Sequence, residues 1–252
     1  MRKALTSLLV AVGCLYAADD AVPRVDLQAH VAGAFTPAQA VALAQKLGVR
    51  LGIAATRADD RTLAAFFQSV EGLPVWRGLE VNLGSGWITA LSPENRARLD
   101  YIMSDGLNFP YNGASVPIWN TKATFDDPQD FMDKYVEHNL QVLAQPIQIW
   151  CNAAMLPASL VDRYDELWTP QRMDRLIQAC LKANIAIEIN SRWETPKASF
   201  IKRAKAAGAK FSIGTDQRND AIGQIDYSLR VAKECGLTAK DIYLPTRDVG
   251  KQ

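Results

Sequence analysis

The 252-residue sequence predicts a single-domain α/β protein, a TIM-like barrel of seven β/α units spanning residues 22–248. Three observations carry that expectation. Short apolar runs with strand character alternate with helical patterns, the order that parallel strands and crossover helices produce. Four Ser-Pro or Thr-Pro pairs, at residues 36, 92, 169 and 195, stand where helices should begin. The segment after the first strand, Gln28-Ala29-His30-Val31-Ala32-Gly33, is not the glycine-rich phosphate loop of a doubly wound open sheet.

The elements follow in order. Val25–Gln28 reads as a strand, and Thr36-Pro37 opens a helix to Leu47 that Gly48 stops. Val49–Ala55 is continuously apolar, as in a strand covered on both faces. A helix over Asp60–Val70 leads to a strand at Val75–Val81. Ser92-Pro93 starts a short helix before the strand Tyr101–Met103, and Asn108–Phe125 reads as a long loop. Asp127-Pro128 starts a helix to Ala144, followed by a strand at Ile147–Trp150. Thr169-Pro170 opens a helix to Ala183 before the strand Ile185–Ile189, and Thr195-Pro196 opens another to Ala207 before Phe211–Gly214. Gln224–Glu234 is the last long helix, and Ile242–Leu244 is strand-like.

Composition narrows the function classes. Apolar residues make up 48% and charged residues 22%, the balance of a folded globular chain rather than a disordered one. A formal charge of +1 leaves no basic excess for a nucleic-acid footprint. Arg2 and Lys3 precede an apolar run ending at Ala17, the form of a secretory signal, so export to a periplasmic or extracellular space is expected. The run is too short to span a membrane. Ala11-Val12-Gly13-Cys14 resembles a bacterial lipobox, which leaves a lipid anchor on Cys14 as the alternative. Cys151, Cys180 and Cys235 match no zinc-ribbon spacing and read as small buried hydrophobes.

In a barrel the reactive groups collect at the carboxyl ends of the strands. Those ends offer Gln28 and His30, Thr56 and Arg57, Glu80 and Asn82, and Ser104 and Asp105. The later strands add Asn152, Glu188, Asn190 with Arg192, and Thr215 and Asp216 with Arg218. His30 reads as functional, whereas His138 reads as a helix-surface or capping side chain.

Four segments, Asp26-Leu27-Gln28-Ala29-His30, Gly78-Leu79-Glu80, Ile187-Glu188-Ile189-Asn190-Ser191 and Gly214-Thr215-Asp216-Gln217-Arg218, resemble the PHP family in order and spacing. This is the polymerase and histidinol phosphatase superfamily of seven-unit β/α barrels, and the resemblance covers about residues 24–245. It implies metal-dependent hydrolysis of phosphate esters by a cluster of histidines and carboxylates. Three of the family's ligand positions carry over, His30, Glu80 and Asp216. Gln28 replaces the first histidine, Thr56-Arg57-Ala58 the Asp-His region, Cys151-Asn152-Ala153 a Gly-His-Pro, and Arg218 the last histidine. Ser104-Asp105-Gly106 lacks its histidine, with Asp105 as a fourth ligand candidate. The resemblance therefore implies a reduced site that holds one divalent ion (manganese, iron or zinc) or none.

Two uses of such a site are expected. One is a metal-assisted hydrolase in which His30, Glu80, Asp216 and Asp105 hold an ion and Arg57, Arg192 or Arg218 clamps an anionic small molecule. Glu80, Asp216, Arg218 and Asn190 are then the catalytic candidates, with Asn152 among the binding groups. The other is a metal-free barrel that processes or merely binds carbohydrate, with Trp87, Trp119, Trp150 and Trp193 near its mouth and Glu80 and Asp216 as an acid–base pair. The substrate and the oligomeric state are not written in the sequence.

Overall fold

Seven parallel strands roll into a nearly closed barrel in the computed structural model, which describes residues 21–249 apart from 32, 34, 120 and 121. The expected leader and Cys14 lie outside the described residues. The barrel strands are β1 (Val25–Ala29), β2 (Arg50–Ala55), β3 (Val75–Asn82), β4 (Tyr101–Asp105), β7 (Ile149–Trp150), β8 (Ala186–Asn190) and β9 (Phe211–Gly214), neighbours in that order. Every adjacent pair is parallel. Past the end of β9 the chain returns to β1, where Ala29 bridges Gln217 and the His30 N–H donates to the Gln217 carbonyl at 2.9 Å. Among the described residues no helix is long and apolar enough to cross a membrane.

The helices cover the outside, and among the described residues five of them start on a side-chain cap. Thr36 caps α1 (Pro37–Lys46) in a capping box with Gln39, and Asp59 caps α2 (Asp60–Ser69), which buries Leu63, Phe66 and Phe67. Two short helices, α3 (Trp87–Ala90) and α4 (Pro93–Ala97), precede β4, with Ser92 capping the second. Asp127 caps α5 (Pro128–Leu143), and Thr169 caps α7 (Pro170–Ala183) after the short α6 (Tyr164–Leu167). The α8 helix (Ala198–Ala206) follows β8, and α9 (Asp226–Glu234) follows β9.

Four expectations are corrected. Asn108–Phe125 is not an irregular loop throughout, because β5 (Asn108–Tyr111) and β6 (Ala114–Pro117) form an antiparallel hairpin. Its turn, Asn112-Gly113, has positive φ at both residues, the geometry that suits the twist of paired strands. Thr195 caps no helix, because α8 begins three residues later and the Thr195 hydroxyl donates to the Ala153 carbonyl. Ile242–Leu244 adds no eighth strand to the sheet; it makes a single bridge, Phe211 to Ile242. His138 is buried rather than on the helix surface, with its ring 5.3 Å from that of Phe109. Cys151, Cys180 and Cys235 are buried free thiols, as read from their spacing.

The barrel interior is filled at its lower end by Tyr101, which is fully buried and donates to the Leu27 carbonyl at 2.6 Å. A Cβ on Gly52 or Gly78 would collide with that ring, so the two glycines are the recess that holds it. Gly78→Ala is therefore expected to cost about 1–3 kcal/mol through overpacking, read by urea unfolding. An unchanged midpoint would mean that Tyr101 has room elsewhere.

Candidate functional site

The upper end of the barrel holds a cleft of about 300 Å³ whose lining includes Glu80, Asp105, Asn152, Trp119, Trp193 and Asp216. Arg192 and Arg218 also face it. Strand alternation sets this arrangement. On β3, Gly78, Glu80 and Asn82 share one face of the pleat, so the face that admits Tyr101 below presents Glu80 and Asn82 above. Asp105 ends β4 in register with Asn82, and Asp216 lies just past β9. Two of the cleft residues, Asn152 (φ +49°) and Asp216 (φ +46°), hold left-handed backbone where the chain leaves its strands. Asn and Asp tolerate that region better than other non-glycine residues, and a mouth position is where such conformations collect.

His30, Glu80 and Asp216 come together as expected, each offering a donor atom within 4.8 Å of the others. His30 Nδ1 stands 2.8 Å from the Ala54 carbonyl, which can only accept, so Nδ1 carries a proton and Nε2 turns to the carboxylates. Nε2 lies 2.8 Å from Glu80 Oε2 and 3.5 Å from Asp216 Oδ1. The Glu80 contact has ion-pair length but is out of line for a hydrogen bond, so both buried atoms lack a hydrogen-bond partner. Asp216 is held from its other side. Trp193 Nε1 donates to Oδ2 at 3.0 Å, Arg218 Nη1 donates to Oδ1 at 3.0 Å, and Arg192 Nη1 stands 3.5 Å from Oδ2.

The electrostatics follow from burial against pairing. Burial disfavours the imidazolium of His30, but Glu80 and Asp216 outweigh it and its pKa is raised to about 10. Burial likewise opposes ionisation of Asp216, yet the neighbouring imidazolium of His30, the bond from Trp193 and the charge of Arg218 leave its pKa lowered. Asp105 goes the other way: burial, reinforced by the charge of Glu80, raises it. Glu80, Asp105 and Cys151 form a second close grouping that shares Glu80 with the first.

Beneath the cleft runs a buried polar layer. Glu188 is fully buried, accepts from the Asn152 N–H at 2.7 Å and the Asn190 amide at 3.1 Å, and fits because Gly214 opposite it lacks a Cβ. Asn190 also donates to Asn152 Oδ1 at 3.0 Å and accepts the N–H groups of Arg192 and Trp193, so it orients two cleft residues. Asn152 in turn donates to Asp105 Oδ2 at 3.2 Å. Asn190, expected among the catalytic groups, is itself absent from the cleft lining.

Burial raises the Glu188 carboxyl to about 8 from an ordinary 4.5. Between those values the folded chain keeps a proton that the unfolded chain has released, so folding stability falls as pH rises through the window. In chelator-treated protein, Glu188→Gln is expected to flatten that limb of the stability–pH curve. An unaltered slope would show that Glu188 is ionised in the folded state.

The remaining expected residues divide. Trp119 and Trp193 line the cleft, but Trp87 and Trp150 belong to the core, with their N–H groups donating to Gln145 and Asn139. Arg57 lines a neighbouring groove with His30, Thr56 and Arg218 instead of the cleft. Leu107 and Asn108 were not expected at the mouth, and the hairpin delivers them there. No protein-family model matches this chain, and no curated protein matches it.

Proposed function

We propose that the chain is a reduced, PHP-like metal-dependent hydrolase acting on an anionic ester, phosphoesters first among them. The observation that carries the reading is the buried contact of His30 Nε2 and Glu80 Oε2, neither with a hydrogen-bond partner, with Asp216 Oδ1 beside them, where a cation would take the place of the imidazole proton. Donor atoms bound to one ion at about 2.0–2.2 Å stand about 3 Å apart, so spacings of 2.8 and 3.5 Å fit neighbouring ligands of a single cation. One imidazole and two carboxylates suit manganese, iron or zinc. Held by His30, Glu80 and Asp216, such an ion would supply Lewis acidity and a water of lowered pKa.

The chain's own residues do the rest. Ala54 holds the His30 tautomer, Trp193 holds the Asp216 carboxylate, and Arg192 and Arg218 present guanidinium groups to the anionic end of the substrate. A metal-free glycosidase is supported less well, because the His30 ring nitrogen fills the gap between Glu80 and Asp216 where a glycosidic oxygen would have to sit.

The test is hydrolysis of a phosphate monoester panel by manganese- or zinc-supplemented protein, with and without chelator. Arg218→Ala is expected to lower kcat/KM for anionic esters about tenfold or more while sparing neutral ones. Equal losses on both would make Arg218 a prop for Asp216 alone, and no chelator-sensitive hydrolysis of any ester would sink the reading.

A further inference from the structure

A second cavity of about 200 Å³ adjoins the cleft and shares two walls with it, Trp119 and Trp193. Its chemistry is different. Ile118, Met155, Leu156 and Tyr164, all buried, line it together with Val161, which is 38% exposed at the rim. Of the polar side chains, the Thr195 hydroxyl donates to the Ala153 carbonyl, and the Tyr164 hydroxyl accepts from the Lys197 N–H. Glu194 and Lys197 stand among the lining residues as the charged groups, and Glu194 faces Arg230 across 3.9 Å.

Trp193 is the partition. Its Nε1 points to Asp216 on the cleft side, and Arg192 covers a ring face with Cζ 4.5 Å from the centroid. Trp119, the other shared wall, is 43% exposed, so a large aromatic surface stands open to whatever enters from the cleft. A molecule whose anionic end reaches Arg192 and Arg218 can therefore extend past the two indoles into a recess walled mainly by apolar side chains.

Resting on the hydrolase reading, we propose that this recess is the leaving-group subsite and that the substrate is an ester of a ring-sized apolar alcohol, a phenol or benzyl-type group. Size decides the class. An apolar cavity of about 150 Å³ accepts a benzene ring, so about 200 Å³ has room for one ring with a small substituent. A sugar would leave its hydroxyls unpaired against Ile118, Met155 and Leu156.

The probes are phenylphosphonate and methylphosphonate, which share the anionic end and resist hydrolysis. Titrated into the full chain by calorimetry, phenylphosphonate is expected to bind about tenfold or more tightly than methylphosphonate, the gain that burying most of a ring provides. Ala158→Trp, which plugs the recess from an exposed rim position, is expected to remove that preference and leave methylphosphonate binding unchanged. Val161→Trp plugs it from a different segment, should the first variant fold poorly. Equal affinities in the wild type, no binding of either probe, or plugged variants that keep the preference would each overturn the subsite. Cleavage of phenyl phosphate reads the hydrolase proposal separately. A phenyl preference without cleavage refutes only the chemistry, and cleavage without a preference refutes only the subsite.

Discussion

His30→Ala is expected to lower the affinity for a divalent ion by a hundredfold or more while the fold stays intact. The imidazole is 2% exposed, and its Nε2 faces both carboxylates, so truncation removes one of three donors and leaves Glu80 and Asp216 without the ring that stands beside both. Loss of one ligand from a three-donor set exceeds the 10–100-fold range typical of a lost outer-shell partner. The fold is expected to survive because the strand pairings on either side of His30 are backbone bonds, including its own N–H to Gln217. Metal titration followed by calorimetry, with circular dichroism on the same samples, checks both halves. Unchanged affinity would remove His30 from the site.

Asp26→Ala is expected to be the most destabilising of the substitutions considered, at about 3–5 kcal/mol, a large part of the total stability of a typical domain. The carboxylate is fully buried and acts as the clasp between the first and last strands. Oδ1 accepts the N–H groups of Gln28 and Thr215 at 3.1 Å each, and Oδ2 accepts the Thr215 hydroxyl at 2.6 Å and the Gly223 N–H at 3.0 Å. Alanine would strand buried donors on both sides of the closure, and each unsatisfied group costs about 1–3 kcal/mol. Asp26→Asn keeps one accepting oxygen and turns an NH2 group toward the other donors, so an intermediate loss is expected. Urea unfolding measures both, and a loss below about 1 kcal/mol for Asp26→Ala would mean that the barrel closes without the clasp.

The two substitutions act on neighbouring parts of one strand. Asp26 closes the barrel, and closure brings Asp216 from beyond β9 to within 3.5 Å of His30 at the end of β1. Structural and chemical roles sit side by side along Asp26-Leu27-Gln28-Ala29-His30, where every residue of β1 is buried and the pairing with β2 shifts register between Asp26 and Ala29.

Local signals explain why most of the fold was readable. Thr36, Ser92 and Thr169 each precede a proline and each caps a helix through its hydroxyl, because the dipeptide supplies an acceptor and a pre-set φ together. The same dipeptide at Thr195-Pro196 misleads, since a distant carbonyl, that of Ala153, takes the hydroxyl instead. The hairpin carries its own local signal. Asn112-Gly113 between Phe109, Tyr111 and Val116 is a strong short-range turn signal, but prolines at 110 and 117 are unusual in strands and oppose it.

At the site, residue types at the strand ends pointed to His30, Glu80 and Asp216, and the barrel brings them together. What no local pattern reveals is which polar residue goes inward and down. Glu188 and Asn190 share β8 with purely apolar neighbours, and only the packing of Gly214 opposite Glu188 makes room for a buried carboxyl. The tryptophans divide for a similar reason. Trp87 and Trp150 find side-chain amide oxygens for their N–H groups, whereas Trp193 finds Asp216 at the mouth. These partners lie 58, 11 and 23 residues away in sequence.

The most direct measurement of the central claim is metal stoichiometry. Protein purified without chelator, analysed for manganese, iron and zinc by elemental mass spectrometry, is expected to carry about one ion per chain, lost in Glu80→Gln. Wild-type protein that stays free of metal, even after dialysis against each ion in excess, would contradict the account.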